Sequence, residues 1–318
     1  MTADAAPLTA TGRPVPRTAA PAAPGSTGSG LCALALVQVM FGLFPVFGRL
    51  AMDPASGFTP FAVATWRISF GAIVLGLVAV AVYGERARIA RRDVLPLLGL
   101  ALLGIVLNQG FFLAGLERST PINAGLMICL IPVFAYSIAV ALGRETLRAR
   151  RAAGVVVALA GSVPLFVSKG AELSSSHAVG NALMAANAFC YAIYIVLSKP
   201  ILTRMPPLVL VAWVYVLSLP FLPLFAMGET LVPEQASRGA WMSLAYVLVF
   251  PTVVAYALNS FALARVEAST TAFFIFAQPV ITAIAAWALL GETLTPALGI
   301  AAAGLFVGMA LVVSRERR

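Results

Sequence analysis

The stretch Ile131–Leu147, "IPVFAYSIAVALGRETL", is an apolar run with a proline near its start and a charged pair near its end. So similar a phrase returns at Gln278–Leu294, "QPVITAIAAWALLGETL", that the chain must be read as two copies. Sliding the sequence by 147 residues aligns Leu116 with Leu263, Arg118 with Arg265, Pro132 with Pro279, Glu145 with Glu292 and Gly161 with Gly308. The same shift puts Pro60 on Pro207 and Trp66 on Trp213, and a shift of 150 puts Gly30 on Gly180 and Arg49 on Lys199.

Composition fixes the solvent of both copies. Of 318 residues, 61% are hydrophobic and 10% charged, where a soluble domain carries about 25% charged residues. Crossing a bilayer core takes about 20 apolar residues in a helix. Ten such spans are expected: Leu31–Met52, Thr59–Tyr83, Val94–Leu116, Asn123–Leu142, Arg151–Val167, Val179–Leu197, Leu208–Met227, Trp241–Leu263, Ala272–Leu290 and Ala297–Val313. The runs are continuously apolar and do not alternate, so a β-barrel is excluded. Residues 1–29, rich in Ala, Pro, Thr, Ser and Gly, are expected to be a disordered tail. A cleaved leader is not expected, because the first apolar stretch begins only at Leu31 and is long enough to span.

Basic residues orient the spans, since lysine and arginine in short loops mark the cytoplasm. An inside amino terminus places 16 of the 21 basic residues on that side, among them Arg86, Arg88, Arg91, Arg92, Arg144, Arg148, Arg150 and Arg151, and 4 outside. Both termini are therefore expected in the cytoplasm. The net charge of +9 reads as topology and contact with anionic lipid, not as a nucleic-acid surface. With five spans per copy, the second copy enters from the opposite face. The domains expected are the tail (1–29), a first five-helix repeat (30–169), a second (178–314) and a basic cytoplasmic end (315–318). Inverted repeats are a recurring plan of secondary transporters, with the substrate site at the midplane.

Pro132 and Pro279 each remove a backbone donor inside a span, freeing the carbonyls of Ile128 and Ile275. Broken helices at membrane depth are tolerated against protein or a watery cavity, so both helices are expected to line the pathway; a packing kink is the alternative.

These motifs, with "ATWRISFGAIVLG" in the second span and "GNALMAANAFCYAIYIVLSKPI" opening the second half, resemble the EamA-type branch of the drug/metabolite transporter superfamily. The resemblance covers Leu31–Ser314 and implies an all-α membrane protein: ten helices in two inverted five-helix repeats, in an inner or plasma membrane, exporting small metabolites such as amino acids or their derivatives. The first copy departs from the pattern by placing Arg144 before Glu145.

Arg67 is the one ionisable side chain well inside a span, where charges face a cavity or a partner. It is either an anchor for a substrate carboxylate or an arginine that snorkels to the headgroups. Gln38, Asn123 and Gln278, with Tyr191 and Tyr194, are expected to line the cavity, a mixed amide and aromatic wall suited to an amphiphilic metabolite. Glu145 and Glu292 follow the fourth and ninth spans as gate ion pairs or solvated turn charges; Thr295 and Pro296 read as cap and first position of the last helix. No cofactor is expected. Cys32, Cys129 and Cys190 lack paired or metal-ligand spacing and read as small core residues, and the lone His177 falls in an expected loop. Gly154, Gly161, Gly304 and Gly308 suggest close helix packing, with a homodimer contact as the weaker option. A small-molecule carrier is the first reading; a lipid-modifying membrane enzyme lacks an acid, base or metal cluster, and a receptor or structural subunit on the same fold stays open.

Overall fold

The structure is a computed structural model and describes residues 24–164, 176–263, 274–275 and 277–313. Among them every regular element is helical. The first repeat holds α1 (Pro24–Ala51), α2 (Pro60–Tyr83), α3 (Arg91–Ala101), α4 (Asn108–Arg118), α5 (Pro121–Met127), α6 (Leu130–Ala141) and α7 (Ala149–Ser162). The second holds α8 (Ser176–Leu202), α9 (Pro207–Val216), α10 (Arg238–Val249), α11 (Ala255–Leu263), α12 (Ala277–Leu290) and α13 (Pro296–Val313).

Among the described residues six continuous helical spans are long and apolar enough to cross a membrane: Gly28–Ala51, Pro60–Ala87, Arg91–Arg118, Pro121–Ala141, His177–Leu202 and Arg238–Asn259. Pro207–Phe221, Ala277–Leu290 and Pro296–Val312 are apolar but shorter. The seventh expected span does not run to Met227. α9 stops at Val216, and 3₁₀ and single-turn pieces follow at Leu219–Phe221 and Pro223–Ala226, because Pro220 and Pro223 cannot continue the backbone ladder. The first helix begins earlier than expected, so residues 24–29 of the expected tail are helical; a proline at a helix start forfeits no hydrogen bond. His177 likewise stands in the first turn of α8 and not in a loop. Cys129 and Cys190 are buried as read, but Cys32 is exposed on α1. Residues 1–23, 165–175, 264–273, 276 and 314–318, and with them the start of the expected span Ala272–Leu290, lie outside the described residues.

The repeat seen in sequence returns as matched backbone irregularities. π-helical turns join α3 to α4 at Leu102–Leu107 and α10 to α11 at Phe250–Val254, positions separated by the repeat offset. The breaks ahead of Pro132 and Pro279 also match, but the carbonyls expected to be free are not. Ile128 O accepts from Ile131 N at 3.0 Å and Ile275 O accepts from Gln278 N at 3.1 Å. Each proline has turned the chain into one 3₁₀ step, which satisfies the released acceptor within the segment.

Packing follows the same pairing. α1 lies on α12 while its counterpart pair is α8 with α6, and α7 lies on α13. A methyl group on Gly161 would stand 2.6 Å from Gly304 Cα, and one on Gly154 would stand 2.8 Å from Gly308 O. These four glycines therefore serve a backbone-to-backbone contact within the chain. α2 and α9 run antiparallel side by side. Trp66 Nε1, near the start of α2, donates to Leu231 O beyond the end of α9 at 2.8 Å. Trp213 Nε1, in the second half of α9, donates to Ala87 O beyond the end of α2 at 2.6 Å.

Candidate functional site

A cavity of about 250 Å³ opens between the repeats, enclosed by α1, α2, α4 and α6 of the first and by α8, α11 and α12 of the second. Arg67 is in its wall. α2 is capped by Thr59, whose side chain accepts from Ala62 N, and carries Arg67 two turns down, where only 5% of it is exposed. Its Nε donates to Thr252 Oγ1 at 3.1 Å, and the guanidinium lies 4.2 Å from the centre of the Phe44 ring. Thr252 sits in the second π turn, fully buried, and donates to Val247 O at 2.8 Å. The bulge thus supplies a fixed hydroxyl that aims the arginine. Arg67 therefore stands in the cavity wall, held by Thr252 and the Phe44 ring.

Neutral polar groups complete the wall. Gln278 Nε2 donates to Gln38 Oε1, tying α12 to α1 across the repeats; Gln38 is 3% exposed. Asn187 Nδ2 donates to Asn108 O at 2.7 Å, and Asn108 Nδ2 reaches Asn187 O at 3.5 Å, a reciprocal clasp between α4 and α8. Such bonds average about 0.6 kcal/mol in membranes, so they orient these helices more than they stabilise them. Phe41, Phe44, Phe112, Tyr191 and Tyr256 supply the apolar surface.

Sequence-based expectations divide here. Gln38, Arg67, Pro132, Tyr191 and Gln278 meet at the cavity. Tyr194 stacks on Tyr191 with ring centres 5.4 Å apart and fills the space above Gly104, where a methyl group would stand 2.4 Å from its ring; it supports the wall from behind. Asn123 is diverted to Ser119 Oγ and Asn181 Oδ1, both at 3.2 Å. Pro279 faces a separate apolar groove of about 370 Å³ with Leu126, Trp287 and Phe306, because one residue rotates about 100° from Gln278 on a helix. Glu145 pairs with Arg151 at 2.9 Å, with Lys199 at 3.9 Å, while the extra Arg144 reaches Val196 O at 2.6 Å. Glu292 stays in the turn before α13, as Thr295 caps that helix through Leu298 N, and it accepts from Ile122 N at 3.4 Å, at the favourable end of α5. Phe41, Phe44, Phe112 and Thr252 had no signal in sequence, since an aromatic or threonine in an apolar helix looks the same whichever way it faces.

The model of the EamA-like transporter family matches the chain twice, over residues 28–167 and 178–314. An uncharacterized transporter of Archaeoglobus fulgidus is 31% identical over 61% of this chain and 67% of its own length. An uncharacterized transporter of Bacillus subtilis, YyaM, is 23% identical over 76% and 80% of the two chains. A protein of Streptantibioticus cattleyicolor named as a probable terminal-alkyne amino-acid exporter is 25% identical over 80% and 91%. A chain of known crystal structure, 20% identical, covers 91% of this chain and 96% of its own with a TM-score of 0.61, which bears on the fold alone.

Proposed function

The chain belongs to the EamA-like transporter family, a multi-pass membrane protein, and we propose that it is a secondary carrier of small organic metabolites, amino acids or related amphiphilic compounds. The observation that carries this reading is one cavity shared by both repeats, with a buried arginine, paired amides and aromatic rings in its wall. In this reading the repeats lie in opposite senses, ten helices cross the inner membrane and both termini are cytoplasmic. The antiparallel α2 and α9, with their reciprocal tryptophan bonds, support the opposed senses. The relative named as an exporter supports outward movement.

Alternating access then follows from pairing. α1 is clamped on α12, where Thr282 Oγ1 donates to Gly42 O at 2.6 Å, and α8 lies on α6 in the equivalent place. Two related halves can exchange which clamp is tight at little cost in energy, and the cavity changes sides as they do. The π turns and 3₁₀ steps concentrate non-helical backbone beside the cavity, where such backbone bends without exposing polar groups to lipid.

Proteoliposomes containing only this chain test the proposal with labelled amino acids, carboxylates and amines. Saturable flux of one class is expected. Flux no greater than in protein-free vesicles for every class, from folded protein, would refute it.

A further inference from the structure

The cavity contains one formal charge and nothing among the described residues to balance it. The ion pairs there all stand at helix ends: Glu85 with Arg88, Asp93 with Arg204, Glu117 with Arg118, and Glu145 with Arg151 and Lys199. Among the described residues no carboxylate lines the cavity and none is ion-paired with Arg67. The guanidinium is nonetheless held in one pose. Thr252 takes Nε and the Phe44 ring lies 4.2 Å away, which leaves Nη1 and Nη2, bonded to no described acceptor, as a two-pronged donor in the cavity wall. That fork matches a carboxylate.

We infer that this cavity selects small organic monoanions, a carboxylate on a largely apolar or aromatic body, over zwitterions and cations of the same body. The inference rests on the cavity being the carrier's substrate site, and it narrows the compounds proposed there to the anionic relatives of amino acids. Its basis is charge balance in a medium that solvates charge poorly. A buried charge is costly unless paired. A monoanion leaves the occupied site neutral; a zwitterion leaves the excess of one positive charge and must place an ammonium close to the guanidinium; a cation doubles the excess. Amide oxygens of Asn108, Asn187 or Asn259 can accept from an ammonium, but they are neutral and do not cancel its charge. Phe41, Phe44, Phe112 and Tyr191 supply flat apolar surface for the body, and the volume of about 250 Å³ suits a body of about one aromatic ring.

Three probes share one phenylethyl body and differ only in charge: 3-phenylpropanoate (minus one), phenylalanine (zwitterion) and phenethylamine (plus one). Their equilibrium binding to the purified full chain at pH 7, and in parallel their flux in proteoliposomes, decide the matter. 3-Phenylpropanoate should bind at least about tenfold more tightly than the other two, Arg67→Gln should abolish that preference, and Arg67→Lys should retain part of it. Equal or tighter binding of phenylalanine or phenethylamine by the parent chain overturns the inference, as does failure of all three to bind. So does an intact preference in folded Arg67→Gln; should that variant not fold, the ranking by the parent chain decides alone. Preferential binding of the anion without flux of any probe would overturn the carrier reading and leave the charge selectivity standing.

Discussion

The link between Arg67 and Thr252 is where sequence, packing and site meet, and a double-mutant cycle measures it without knowledge of the substrate. Thr252→Val keeps the approximate shape of the side chain while removing the hydroxyl, and Arg67→Met keeps an unbranched stem while removing the charge. Hydrogen bonds to charged groups contribute roughly 1.5–3 kcal/mol in soluble proteins, whereas bonds between membrane helices average about 0.6 with a maximum near 1.7 kcal/mol. Here the donor is charged, Arg67 is 5% exposed and Thr252 is fully buried, which argues for the upper part of the membrane range. The bond is 3.1 Å long and the guanidinium keeps its Phe44 contact, which argues against the higher soluble values. A coupling energy of about 1.5 kcal/mol is therefore expected. Reversible unfolding of the two single variants, the double variant and the parent chain in mixed micelles gives that quantity, and Thr252→Ser, which keeps the hydroxyl, should stay near the parent. Additivity within about 0.3–0.5 kcal/mol would refute the claim that the second π turn aims the arginine.

Two further outcomes follow from the repeat. Leu147 and Leu294 are equivalent and exposed, at 72% and 66%; in a Cys32→Ser background, Leu147→Cys should react with a membrane-impermeant thiol reagent only from the cytoplasm and Leu294→Cys only from outside, and labelling of both from one side would refute opposed repeats. Gly161→Val should destabilise the fold by about 1–3 kcal/mol through overpacking, because a methyl group there already meets the Gly304 backbone at 2.6 Å. Gly299→Ala, where nothing lies within 4 Å, should be neutral or stabilising by up to about 1 kcal/mol; thermal unfolding of the two variants checks the contrast.

Hydropathy and the recurring "P-V…ETL" phrase made the helical membrane class and the two repeats legible, because both rest on composition and spacing alone. Breaks at Pro132 and Pro279 were legible for the same reason: a missing donor is visible in the residue type. How the chain closes such a break was not, since the 3₁₀ bonds of Ile131 and Gln278 depend on backbone geometry that no residue type dictates. The first π turn, Leu102–Leu107, contains neither proline nor any polar residue, so nothing in its composition departs from an ordinary apolar helix. Prolines at 220 and 223 did carry a signal, but the apolar run to Met227 masked it. At the site, Gln38, Arg67 and Gln278 stood out as polar groups within apolar runs. Asn123 met the same criterion and went elsewhere, because rotation about the helix axis, set by Ser119 and Asn181, decides which polar group reaches a cavity.

Counterflow tests the carrier account most directly. Proteoliposomes preloaded with millimolar unlabelled 3-phenylpropanoate, and separately with each other panel compound, are diluted into a trace of the same labelled compound. One site facing either side in turn predicts transient accumulation of label above its equilibrium level for the transported compound, with the overshoot lost in Arg67→Gln. Label that only equilibrates, or does not enter, for every compound in vesicles of folded protein would contradict alternating access about this cavity.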